Sequence, residues 1–119
     1  MLLYDMIMSN FDLRYGRFAH WLDRELSRPI PHGVVAYCVN LYEDGNGRWS
    51  AELVGCASFD EQSSDWACDE LFSTRHHILS WRGDLHWRNA LEQVAGFLHR
   101  YQQEGRRAAT LNAAEGVAV

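Results

Sequence analysis

The sequence predicts an α+β fold, a small antiparallel sheet with an N-terminal and a C-terminal helix packed on it. Three observations point there. Segments 11–28 and 84–105 repeat apolar residues every three or four positions, as helices do. Between them, 34–44 and 48–59 alternate in the manner of strands around the turn Asp44-Gly45-Asn46-Gly47. The length of 119 residues, 47% of them hydrophobic and 13% aromatic, suits a single domain over 1–119 with one core of its own.

In the first helix, FDLRYGRFAHWLDRELSR, the residues Phe11, Tyr15, Phe18, Leu22 and Leu26 share one face and read as core packing. Pro29, which has no backbone N–H to donate, stops it. VVAYCVNLYED follows as a strand with Val35, Tyr37, Val39 and Leu41 on one face. The Asp-Gly-Asn-Gly turn supplies residues that tolerate positive φ, and RWSAELVGCASF returns as the second strand, with Trp49, Ala51 and Leu53 alternating against Ser50, Glu52 and Val54. Residues 66–72 fit either a strand or a helical turn, because so short a run cannot be arbitrated by period, and a third antiparallel strand is preferred. STRHHILSWRG, 73–83, reads as irregular. Asp84 is placed to cap a helix running to Gly105, with Trp87, Leu91, Val94, Leu98 and Tyr101 on its buried stripe. The EGVAV tail is suited to a short edge strand. No internal repeat is visible.

Charge and cysteine usage narrow the function classes. The formal net charge is -5, which excludes a general nucleic-acid binder and favours a basic partner. All the positive side chains are arginines, so lysine Schiff-base chemistry and the P-loop lysine are excluded. MLLYDMIM lacks the basic leader and long apolar run of a signal peptide, and no later run is long enough to span a membrane. Cys38, Cys56 and Cys68 are odd in number and widely spaced, so a reducing cytoplasm is the expected compartment.

Four candidate chemistries can be weighed. His76, His77 and His86, with Cys68 and Asp69 just before them, lack the paired ligand spacing of a zinc site, and no metal or other cofactor is expected. Cys68 lies among carboxylates that disfavour its thiolate, while Cys38 and Cys56 fall within strands and read as small apolar core residues. Carboxylate pairs such as Asp65 with Asp69, or Asp69 with Glu70, lack a visible cleft. No GxSxG, HExxH, Walker-type or dinucleotide motif occurs, so no catalytic residue is assigned and the chain is not expected to be an enzyme. The fourth candidate is an acidic partner-binding surface formed by Asp60, Glu61, Asp65, Asp69 and Glu70, with Trp66 either anchoring a partner or facing the core and Cys68 and Phe72 turned inward. Its field depends on whether Arg75, Arg82 and Arg88 neutralise those carboxylates internally.

The order of features in NLYEDGNGRWSAELVGCASFDEQSSDWACDELFSTR, 40–75, resembles a group of small bacterial proteins with an LYE, W, EL-G, FD, DWACDE-F pattern followed by a Trp-containing segment and a C-terminal helix. The chain is similar in size and acidity to immunity proteins of bacterial toxin systems. That resemblance implies a cognate protein toxin with a basic surface as the partner, with no nucleic acid and no membrane involved, and it carries over no catalytic residue. In that group the tail runs on into one more strand after a Gly-Asp turn, so that strand is expected to be short or absent here. The alternatives are a small hydrolase or metal-dependent enzyme using His76, His77 or His86 with the 60–70 segment, and a homo-oligomeric scaffold; the oligomeric state is left open.

Overall fold

A computed structural model of the chain describes the backbone of residues 3–83 and 86–119, and their side chains from residue 12 onward. The α+β expectation holds: α1 (Leu3–Leu26), β1 (Ala36–Gly45), β2 (Arg48–Cys56), a short 3-10 helix (Ser64–Cys68), β3 (Glu70–Ser73), β4 (Leu79–Arg82), α2 (Trp87–Glu104), α3 (Ala108–Asn112) and β5 (Gly116–Ala118). The first helix starts well before residue 11 and closes just ahead of Pro29. Phe11's side chain and the expected cap Asp84 lie outside the described residues. His86 serves as the α2 cap instead, its Nδ1 accepting from Arg88 N at 3.3 Å.

The β1–β2 hairpin forms as expected, and its register sets Val39 opposite Leu53 and Leu41 opposite Ala51. Gly45, Asn46 and Gly47 all adopt positive φ, the conformation that lets a two-residue turn follow the twist of its strands. β2 is the central strand. On its far side, β3 pairs with Val54–Cys56 and β4 with Arg48–Ala51. Thr74 bridges the gap between them: its Oγ1 accepts from Leu53 N and its own N–H donates to Leu53 O, both at 2.9 Å. β4 falls in the stretch expected to be irregular. Four residues are too few to show a period, and β4 exists because β2 offers it an unpaired edge.

The sheet is mixed rather than wholly antiparallel. β5 forms as expected at the tail but runs parallel to β1, pairing Ala36, Tyr37 and Cys38 with Gly116, Val117 and Ala118. A strand reached through the α2–α3 crossover enters the sheet from the same end as β1, whereas strands joined by hairpins enter from opposite ends.

One face of this sheet carries the main core. Tyr15, Phe18, Leu22 and Leu26 of α1 and Val94, Leu98 and Tyr101 of α2 are buried against Tyr37, Val39, Ala51 and Leu53. Trp21 and Phe97, outside the expected stripes, join them. Each such side chain contributes about 1.5–3 kcal/mol of burial. Trp21 also donates its indole N–H to His77 O at 2.7 Å, tying α1 to the loop between β3 and β4. The Tyr101 hydroxyl donates to Asp23 at 2.6 Å and accepts from Arg107 N at 3.0 Å, locking the α2–α3 junction to α1. Trp87 and Leu91 depart from the expected buried stripe: Trp87 is 53% exposed and Leu91 is half-buried, outside the main core cluster.

Candidate functional site

The second face of the sheet organises the 57–69 segment. Ala36 and Cys38 of β1 and Val54 and Cys56 of β2 point away from the helices, and a solvent-facing strip of that kind would be costly. The chain therefore folds back over it as a flap, burying Trp66 and half-burying Phe59 and Ala67. Ala57 N donates to Asp69 O at 2.9 Å and Asp69 N to Trp66 O at 3.1 Å, closing the flap at its root. Ser63 caps the 3-10 helix by accepting from Asp65 N. Phe59 meets Trp66 edge to face at 5.2 Å and lies directly on Gly116 of β5, where a Cβ would come within 2.1 Å of the ring.

This geometry corrects two expectations, the start of the third strand and the inward Cys68, and decides between the two readings of Trp66. The third strand begins at Glu70, not around Trp66, because burying Trp66 over the second core needs a tight turn rather than an extended backbone. Trp66 is 8% exposed, so it fastens the flap and is not free to anchor a partner. Cys68 is exposed, while Phe72 is half-buried and packs against the main core.

Asp60, Glu61, Asp65, Asp69 and Glu70 are all exposed on or beside this flap. Arg75 pairs with Glu70 at 3.0 Å; Arg82 and Arg88 form no ion pair among the described residues, and Arg88 stacks 5.5 Å from the centre of the Trp87 ring. Asp60, Glu61, Asp65 and Asp69 have no ion-pair partner among the described residues either, so most of the acidic field is left uncompensated. A shallow depression of about 330 Å³ is lined by Phe59, Asp60, Ser63, Asp65 and Trp66.

Beside the flap, the same face holds a group that sequence reasoning missed. Glu52 stands opposite Asn40 and is 2% exposed. One of its carboxylate oxygens accepts from the Tyr42 hydroxyl at 2.6 Å and from Asn40 Nδ2 at 3.2 Å, and the other faces Arg75 Nε at 3.2 Å. Burial pushes this carboxyl up, but the hydrogen bonds from Tyr42, Asn40 and Arg75, together with the arginine charge, outweigh it and leave its pKa below the ordinary value. The same hydrogen bond raises the Tyr42 phenol, with burial adding to it. The hairpin register alone puts Asn40 opposite Glu52 and Tyr42 one step along, so that half of the cluster could have been found. Arg75 arrives from the β3–β4 loop and leaves no such signal.

The remaining candidates stay apart. His76 and His77 are exposed in the β3–β4 loop and His86 caps α2, and among the described residues no three His, Cys, Asp or Glu side chains are grouped to hold a metal ion. Burial raises the Cys38 thiol to about 11, with smaller contributions from Cys56, Glu52 and Cys68; Cys56 is raised by burial and then by Asp69 and Glu70. Both are protonated, unreactive thiols at neutral pH. Among the described residues no helix is long and apolar enough to cross a membrane. No protein-family model, curated protein or solved structure matches the chain.

Proposed function

We propose that this chain is a non-enzymatic binding protein of the immunity type, which neutralises a cognate protein toxin by covering a basic surface of it with the acidic flap. The observation that carries this reading is the set Asp60, Glu61, Asp65 and Asp69, exposed and without an ion pair among the described residues, on a segment clamped by a buried tryptophan. Like charges this close repel one another and lower stability, while their field steers and orients a positively charged partner. A fixed backbone beneath them lowers the ordering cost of association. Glu70 is the exception within the predicted set, since Arg75 already occupies it.

The test is co-expression with the product of the neighbouring gene. Rescue of growth from that toxin, lost when Asp60, Glu61, Asp65 and Asp69 are replaced together by Asn or Gln, is the expected result. Rescue and affinity that survive the replacement at physiological salt would eliminate the acidic-flap mechanism.

A further inference from the structure

The three cysteines, widely spaced in the sequence, converge on the flap. Cys38 of β1 and Cys56 of β2 are buried in the second core with Trp66 over them. Cys68, the last residue of the 3-10 helix, is exposed at the root of the flap.

The bonds at that root bring Cys56 and Cys68 together. Cys56 stands opposite Glu70 in the β2–β3 register, Ala57 N donates to Asp69 O at 2.9 Å, and the Cys56 thiol itself donates to Ala67 O at 3.8 Å. Ala67 O belongs to the trans peptide that leads into Cys68, and in such a peptide the oxygen lies about 2.8 Å from the next Cα. Cys56 Sγ is therefore no more than about 6.6 Å from Cys68 Cα, where a disulfide needs roughly 4 Å. A swing of the Cys68 side chain and a small settling of the five-residue helix close that gap. Cys38 is placed differently: its thiol turns along its own strand and donates to Asn40 Oδ1 at 3.3 Å. Burial is the main reason both buried thiols are pushed up, and Cys68 adds to each shift, as a group within electrostatic reach does.

We infer that Cys68 and Cys56 form an oxidation site, in which the exposed thiol meets a low-molecular-weight disulfide, the buried one resolves it, and the resulting bridge ties the flap to β2. The inference goes beyond the binding reading and does not rest on it. In the first step the Cys68 thiolate attacks one reagent sulfur, forming a mixed disulfide and expelling one reagent thiol. Cys56 then attacks Cys68 Sγ and expels the second, its proton passing through water to the departing thiolate. Two protein thiols are oxidised to one disulfide while one reagent disulfide is reduced to two thiols. Burial keeps Cys56 away from reagents in solution, but the mixed disulfide is delivered beside it on the same chain. The carboxylates around Cys68 repel anionic reagents, so a neutral or cationic disulfide suits the first step.

The probe is a neutral dipyridyl disulfide added to the full chain, with the released thiopyridone followed by absorbance. Two equivalents per chain are expected, the first at a rate proportional to reagent concentration and the second at a rate independent of it. The product should lack two hydrogens, carry no pyridyl group, and yield a peptide in which Cys56 is joined to Cys68. Cys38→Ser should leave both phases in place, and Cys56→Ser should stop at a stable mixed disulfide on Cys68. Cys68→Ser, a change at an exposed position, should keep the melting temperature and lose both phases. In the bridged chain, amide exchange over 57–69 should slow by about tenfold and recover on reduction with dithiothreitol. A stable mixed disulfide in the wild type, a second phase proportional to reagent, or a bridge to Cys38 or between two chains overturns the inference. A bridge from Cys56 to Cys68 that leaves flap exchange unchanged also overturns it, since the flap would then not be tied.

Discussion

Arg75 Nε lies 3.2 Å from Oε2 of Glu52, a carboxylate that the strand alternation alone would assign to solvent and that is 2% exposed. β3 and β4 leave a gap against β2, and the arginine reaches from the loop between them to cover it while also holding Glu70. One guanidinium thus joins the centre of the sheet to the first residue after the flap.

Glu52 makes stability depend on acid pH. Its folded pKa is lowered and its unfolded value is about 4.3, so the contribution is complete above that value and lost as pH falls through the lower folded pKa. Urea titrations of the wild type and Glu52→Gln from pH 7 to pH 3 should show a stability gap that is constant down to about pH 5 and closes below about pH 4. Tyr42→Phe should cost about 1 kcal/mol at pH 7, since it removes one hydrogen bond to a charged acceptor at a partly exposed site.

Flap closure should be readable from the thiols. Cys68 is exposed and is expected to react with a disulfide reagent in the native state, whereas Cys38 and Cys56 are buried beneath the flap and should react only when it opens. Trp66→Ala should lower stability by about 3 kcal/mol and bring the two slow thiols into reaction at a greatly increased rate. Unchanged labelling of Cys38 and Cys56 in a variant that remains folded would mean that Trp66 does not fasten the flap.

Gly116 couples the flap to the parallel edge strand. Gly116→Ala places a methyl group against the Phe59 ring and should cost about 1–3 kcal/mol. Much of that loss should be recovered in the double variant with Phe59→Leu, whose side chain leaves more room. Additive losses in a double-mutant cycle would show that the two positions are not coupled.

The acidic flap should trade stability for binding. Replacing Asp65 and Asp69 by Asn relieves like-charge repulsion and should leave stability unchanged or raise it by up to about 0.5 kcal/mol at low salt, the gain shrinking at high salt. A clear loss of stability would instead assign those carboxylates a structural part in the fold.

Legibility in the sequence followed how local each determinant is. The hairpin could be read because Asp44-Gly45-Asn46-Gly47 and the alternation on either side specify one register. The stripe Val94, Leu98 and Tyr101 could be read because helical spacing repeats over several turns. Residues 57–69 and 79–82 were harder: their conformations answer to the uncovered face and open edge of β2, which no window of neighbouring residues contains. Trp87 shows the reverse, a periodic position that tertiary geometry leaves uncovered.

By itself, then, the sequence determined the α+β class, the hairpin and its turn, both long helices and the acidity of the 60–70 segment, because backbone preference, side-chain period and charge are properties of short stretches. Only the tertiary structure decided that Trp66 turns inward, that Arg75 neutralises Glu70 and Glu52 but not the other acids, and that β5 joins β1 in parallel and leaves residues 39–45 open. Those outcomes depend on which distant surfaces need covering and on which charges the folded chain brings within reach.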